Sequence, residues 1–135
     1  MRKSAHRRVR LKRVPVTGAL LSELRQVMHT QYVVLQTKFA TLDNVQMLRD
    51  MFDTVGFTIE GDERFSEHMV ILNSGFRALK QVADKGAPVL TTEDERAPVL
   101  NAINVIDGIL PRLDGTKLYL ANVKVNELKL VAAEQ

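Results

Sequence analysis

Between Asp62 and Gly86, Phe65, Met69, Leu72, Phe76, Leu79 and Ala83 recur at alternating steps of four and three. A helix of ~3.6 residues per turn places such positions on one face, so the spacing predicts a continuous apolar stripe on an α-helix. Asp62 is suited to cap the first free N–H groups, and Glu63 favours the positive end of the macrodipole. Gly86 is suited to close the helix, because glycine enters the left-handed C′ conformation without steric cost. About 22 residues at ~1.5 Å each give a rod of roughly 33 Å, the central staff against which the rest of a small domain would pack.

The stripe needs partners, and 135 residues are enough to supply them in one domain with a real core. An apolar fraction of 45% and a charged fraction of 26% belong to ordinary water-soluble globular chains. The sequence has no cysteine, which excludes disulfides, thiolate nucleophiles and cysteine-ligated metals, and fits a cytoplasmic location. No apolar run approaches the roughly 18 residues of a membrane span. The start of the chain is basic but lacks the apolar stretch of a secretory signal.

Charge is unevenly distributed. Arg2, Lys3, Arg7, Arg8, Arg10, Lys12 and Arg13 give the first 13 residues +7 with no acid, while the other 122 carry 12 basic and 16 acidic side chains, net −4. The division is therefore a basic, disordered N-terminal arm over residues 1–16 and a mildly acidic helical body over 17–135.

A first helix is expected over about Ala19–Ala40, with Leu21, Leu24, Met28, Tyr32, Leu35, Phe39 and Leu42 as its stripe. Thr41 then caps a second, with Leu42, Val45, Leu48, Phe52 and Val55 on one face, Met47 and Met51 beside them, and Gly56 as its end. Phe57 and Ile59, in the connection to the central helix, are expected to fold back onto the bundle. Thr92 and Glu95 form a Thr-x-x-Glu capping box for a fourth helix whose buried face is Val99, Ile103, Ile106 and Leu110. Pro98 either removes one of its hydrogen bonds or moves its start later, and Pro111 with Asp114-Gly115 ends it. From Thr116 to Gln135, Leu118, Ala121, Val125, Leu128 and Ala132 give a helical stripe, yet Leu118/Leu120, Val123/Val125 and Leu128/Leu130 also alternate as in a strand. A lone strand would leave its backbone groups unpaired, which favours the helix. The expected fold is all-α, a single-domain bundle of about five helices.

Catalytic constellations are missing from the pattern. His6, His29 and His68 are the only histidines, and neither Glu-x-x-His nor His-Glu-x-x-His occurs. Ser4, Ser22, Ser66 and Ser74 lie in no nucleophile elbow, and there is no glycine-rich phosphate loop. Glu93-Asp94-Glu95 sits where a helix N-terminus favours carboxylates without any metal. These absences predict no enzyme, no metal and no cofactor. A helix–turn–helix across Gly56 is disfavoured, since its recognition helix would open with Asp62, Glu63 and Glu67 against phosphate.

The arm's seven cations can neutralise phosphates without reading sequence, or dock on an acidic protein surface, or serve only as a solubilising tail. With no aromatic residue among them, stacking on single strands is not expected, and Val9 and Leu11 are too few to insert in a membrane. Met47 and Met51 mark a homodimer seam as a further reading.

The order of an arginine-rich start, a helical body, Ala78-Leu79 leading to Lys85-Gly86, then Thr92-Glu93-Asp94-Glu95 and Leu100-Asn101 resembles a set of small, uncharacterised helical proteins of proteobacterial phages and prophages. The resemblance implies a non-enzymatic accessory protein of a mobile element, one that contacts nucleic acid or a nucleoprotein complex. The alternative is an adaptor or inhibitor that engages a host protein through an exposed helical face.

Overall fold

The computed structural model describes residues 14–134, with side-chain environments for 14–131. Among the described residues five α-helices follow one another: α1 Gly18–Val34, α2 Leu42–Ile59, α3 Ser66–Asp84, α4 Glu93–Ile109 and α5 Gly115–Glu134. Short 3-10 turns, Glu63–Phe65 and Leu110–Arg112, lead into α3 and out of α4. No β-strand occurs among the described residues; one isolated bridge joins Pro15 to Asp114. The all-α bundle is thus as expected, and residues 116–134 of the last segment take the helical reading.

Helices α1, α2, α3 and α4 close into a ring in which each packs on the next and α1 returns to α4, while α5 lies against α2. The hub is therefore α2, which touches α1, α3 and α5, and not the 62–86 helix expected to be the staff. The reason lies in α2's burial. Val45, Leu48, Phe52, Thr54, Val55 and Ile59 are all enclosed, a wider surface than a single stripe provides.

Helix ends show where local chemistry overrode pattern. Gly56 does not end α2, because one more turn buries Ile59, and the stop comes at Gly61 with φ +81°. Phe57 and Ile59 accordingly belong to α2's last turn. Helix α1 stops at Val34, six residues short of Ala40, as the Thr37 hydroxyl donates to the Val34 carbonyl at 2.7 Å and accepts from the Phe39 N–H. Phe39, expected in the stripe, is instead 74% exposed. Leu35 caps the helix fully buried, and its carbonyl accepts from the Leu90 N–H at 2.8 Å.

Asp62 caps the 3-10 turn by accepting from the Arg64 N–H at 3.0 Å, and Gly86 follows α3 at φ +87°. The Thr92/Glu95 box closes in both directions. Pro98 stays inside α4, so the start does not shift; the Asp94 carbonyl loses one donor. The buried face of α3 turns toward Leu72, Gly75, Ala78, Leu79 and Val82, leaving Met69, Phe76 and Ala83 half-covered. Gly75 explains the turn. A Cβ there would lie 2.5 Å from the Ala102 Cβ and 3.0 Å from the Pro98 carbonyl oxygen, so α3 and α4 meet backbone to backbone. Asp114-Gly115 opens α5 rather than closing α4.

Candidate binding surfaces

The arm's Arg2, Lys3, Arg7, Arg8, Arg10, Lys12 and Arg13 lie outside the described residues. Its root is placed. The Val14 N–H donates to Asp114 Oδ1 at 3.3 Å, and the Val14 carbonyl accepts from the Gly115 N–H at 2.5 Å. Val16, at the end of the stretch assigned to the arm, is fully buried. Residues 14–16 are therefore stitched to the start of α5, and the chain before them departs from that point.

Beside the root, Thr58, Asp62, Arg64, Phe65, Arg112, Leu113, Asp114 and Lys117 line a hollow of about 90 Å³. Arg64 is committed to Asp62 through Nη2 at 2.7 Å and Nε at 3.1 Å, and its hydrogen bond holds the Asp62 carboxyl down at about 2. Asp62 is also on the rim of a larger cleft, about 660 Å³, between α2 and α3. Phe57, Met69 and Phe76 form its apolar wall, and Asp53, Glu60, Asp62 and Glu63 supply its charge. These acids converge because α2's last two turns and the turn into α3 face one another across Gly61. No described cation forms an ion pair with Asp53, Glu60 or Glu63. Burial pushes the Asp53 carboxyl above its ordinary range, Arg49 offsets part of that, and Asp50 adds to it. Cations of the body already stand over rings at this end: Lys124 over Phe57 at 4.4 Å and Arg49 over Phe76 at 4.9 Å.

A second concavity, about 370 Å³, runs between α1, α2 and the start of α5. Leu20, Leu24, Val27, Met47, Met51 and Tyr119 line it, with Asp50 as its one acid. Met47 is 45% and Tyr119 66% exposed, whereas Met51 packs against the core. Residues on three helices make this surface, which no single-helix stripe could announce.

His29 and His68, the histidines among the described residues, both contact other side chains. His29 Nε2 meets Asp107 Oδ2 at 2.6 Å, and Arg25 Nη2 donates to the Asp107 backbone carbonyl at 2.5 Å, so the trio ties α1 to α4. The partner of His29 stands 78 positions away and leaves no local signal in the sequence. His68 packs edge-on to Phe65 with centroids 5.5 Å apart. Glu93-Asp94-Glu95 serves α4's start: Glu95 takes Lys85 Nζ and the Thr91 N–H, which together hold its carboxyl at about 2, and Glu93 pairs with Arg96. Among the described residues no three His, Asp or Glu side chains are disposed to hold a metal ion, and no helix is long and apolar enough to cross a membrane. Compared with known proteins, the chain matches no family model, no curated protein and no solved structure.

Proposed function

We propose that this is a non-enzymatic accessory protein, of the phage or prophage kind its sequence resembles, that grips nucleic acid or a nucleoprotein complex with Arg2, Lys3, Arg7, Arg8, Arg10, Lys12 and Arg13. The observation that carries the reading is charge segregation: +7 in 13 residues on a body of −4. The fastening of Val14 to Asp114 and Gly115 gives those cations a fixed point of departure. Phosphate neutralisation needs only such an array, since counterion release supplies affinity without base contacts.

Fluorescence anisotropy of short duplex and single-stranded DNA and RNA tests it. The full chain is expected to bind with a log–log salt slope of up to about −6, and a variant with Arg7, Arg8, Arg10, Lys12 and Arg13 all changed to Gln with a slope near −2. Equal affinities for the two chains would sink the reading.

One observation favours a second reading. The groove of Leu20, Leu24, Val27, Met47, Met51 and Tyr119 has the apolar, methionine-bearing character of surfaces that receive a partner's helix. In that reading the protein is an adaptor or inhibitor, and a second copy is one occupant. Light scattering that finds a monomer at high micromolar concentration eliminates the homodimer.

A further inference from the structure

We infer that the outward face of α5, together with the groove it borders, docks a second copy of this chain, the two α5 helices pairing antiparallel about a two-fold axis. The inference rests on the second reading above, which it makes specific, and it uses none of the arm's cations.

The first observation is that α5 is apolar on two opposite sides. Leu118, Ala121 and Val125 are buried, and α2 is the helix's main support. At ~100° per residue, Leu120, Val123 and Leu130 centre roughly 180° away from that buried side, with Tyr119 and Val131 on their flanks. Tyr119, Leu120, Leu130 and Val131 are each more than half exposed. The strand-like alternation of Leu118/Leu120 and Val123/Val125 has its cause here. Positions i and i+2 stand ~200° apart on a helix, so one of each pair turns inward and the other outward. A helix apolar all round is suited to enclosure on both sides, yet the outward side of α5 meets solvent.

The second observation is the groove beside it. Leu20, Leu24 and Val27 of α1, Met47 and Met51 of α2, and Tyr119 of α5 line one apolar concavity. Tyr119 belongs to both features, and Leu130 lies within ~20° of it about the α5 axis, so ridge and groove adjoin. Charge is sparse, as in the core of an interface. Asp50 is paired with Lys129 at 2.8 Å, and Glu127 is the one charged residue among stripe positions 120, 123, 127 and 130.

These two features identify the occupant. A foreign partner would have to bring both a ridge for the groove and a groove for the ridge. A second copy brings both, and a two-fold axis beside α5 seats each ridge in the other copy's groove. The area suffices. A strip as long as α5, ~30 Å, and two helix diameters wide, ~20–24 Å, covers about 600–720 Å² on each copy and about 1,200–1,440 Å² in all, within the range of stable interfaces. Glu127 sets the direction. Parallel α5 helices would bring the two Glu127 carboxylates together in the seam, a like-charge contact that disfavours association. Antiparallel helices place Leu120 beside the partner's Leu130 and offset the carboxylates by ~6 Å along the axis as well as across it.

Sedimentation equilibrium of the full chain, up to about 300 µM, reads the association directly. Twice the chain mass is expected, with a Kd that raising salt to about 0.5 M leaves unchanged, since the contact is apolar. Leu120→Arg and Leu130→Arg on the ridge and Leu20→Arg in the groove are each expected to raise Kd at least about thirtyfold. Val70→Arg, at an equally exposed aliphatic site on α3, leaves it unchanged. The chain has no cysteine, so direction is read with single introduced ones. In a mixture, bis-maleimidoethane should join Leu120→Cys chains to Leu130→Cys chains in preference to linking either to itself. Circular dichroism checks each variant for native helix content, and the cysteine variants, which add no charge, decide the matter if an arginine variant unfolds.

A monomer throughout, a dimer dissociated by salt, or one that the ridge variants leave intact overturns the inference. Preferential linking of like cysteine variants overturns it in favour of parallel helices. A dimer insensitive to Leu20→Arg overturns the seating in the groove. A monomer that binds the apolar dye bis-ANS, and loses it on Met47→Arg, refutes the pairing but leaves the groove of the second reading open; a monomer without such binding refutes both.

Discussion

The closest approach in the bundle gives its sharpest test. Gly75→Ala adds one methyl group where α3 crosses α4, and that carbon would lie 2.5 Å from the Ala102 Cβ, 3.0 Å from the Pro98 carbonyl oxygen and 3.1 Å from Phe52 Cε2. Ala102 is fully buried and Pro98's oxygen is backbone, so neither can swing aside. Overpacking of this kind costs about 1–3 kcal/mol, and alanine's better helix propensity returns about 0.5–1. The net loss of about 1–2 kcal/mol lowers Tm by roughly 3–10 °C for a chain of this length. Gly56→Ala, in the interior of α2, is the control: its Cβ would meet only Met69 Sδ, at 3.9 Å. There propensity acts alone, and Tm should rise by a few degrees. Thermal and urea unfolding followed by circular dichroism distinguish the signs. Adding Ala102→Gly to Gly75→Ala should recover part of the loss, as a coupling of at least ~0.5 kcal/mol between neighbours. If Gly75→Ala stabilises the chain as Gly56→Ala does, or if the double variant is strictly additive, α3 and α4 do not meet at Gly75.

Other perturbations follow from the ties between elements. Asp107→Ala removes the acceptor of His29 and is expected to cost about 1 kcal/mol in urea unfolding, a modest figure because the cluster is part-exposed. Glu95's carboxyl is depressed to about 2 in the fold, first by Lys85 and then by the Thr91 N–H. Its contribution is therefore complete above the unfolded value near 4.5 and is lost as pH falls toward 2. Glu95→Gln should flatten that acid limb of the stability curve; an unchanged limb would show that the capping box and the Lys85 pair do not persist in solution. Gly86, at φ +87° with open space around it, should lose roughly 1–2 kcal/mol on replacement by Ala from backbone strain alone, and less on replacement by Asn.

What could be read from the sequence divides by range. The Thr92 cap and the Gly86 stop depend on neighbours within four positions and form as their residue types dictate, whereas Asp62 caps the 3-10 turn Glu63–Phe65 and the α-helix itself starts only at Ser66. Stripes fared less well where two helices meet unusually. The period over 65–83 favours large residues, so Phe76 and Met69 stood for the core; contact with α4 selected the small ones, Gly75 and Ala78. Gly56 illustrates the opposite error, since burial of Ile59 outweighs the roughly 1 kcal/mol that glycine costs inside a helix. Leu128, expected in α5's stripe, is 51% exposed because α5 has α2 as its main support.

The two concavities were illegible for a related reason. Neither belongs to an element: Asp53 on α2, Glu60 just past its end and Glu63 in the following turn line one cleft because Gly61 turns the chain, and Leu20, Met47 and Tyr119 come together from three helices. Sequence spacing reports which residues share a face, whereas a cleft is the space left between faces. The arm is the converse case, fully legible as charge and silent as to where it goes. What the described residues show at its base is Val14's attachment to Asp114, a contact across 100 residues that no local spacing announces.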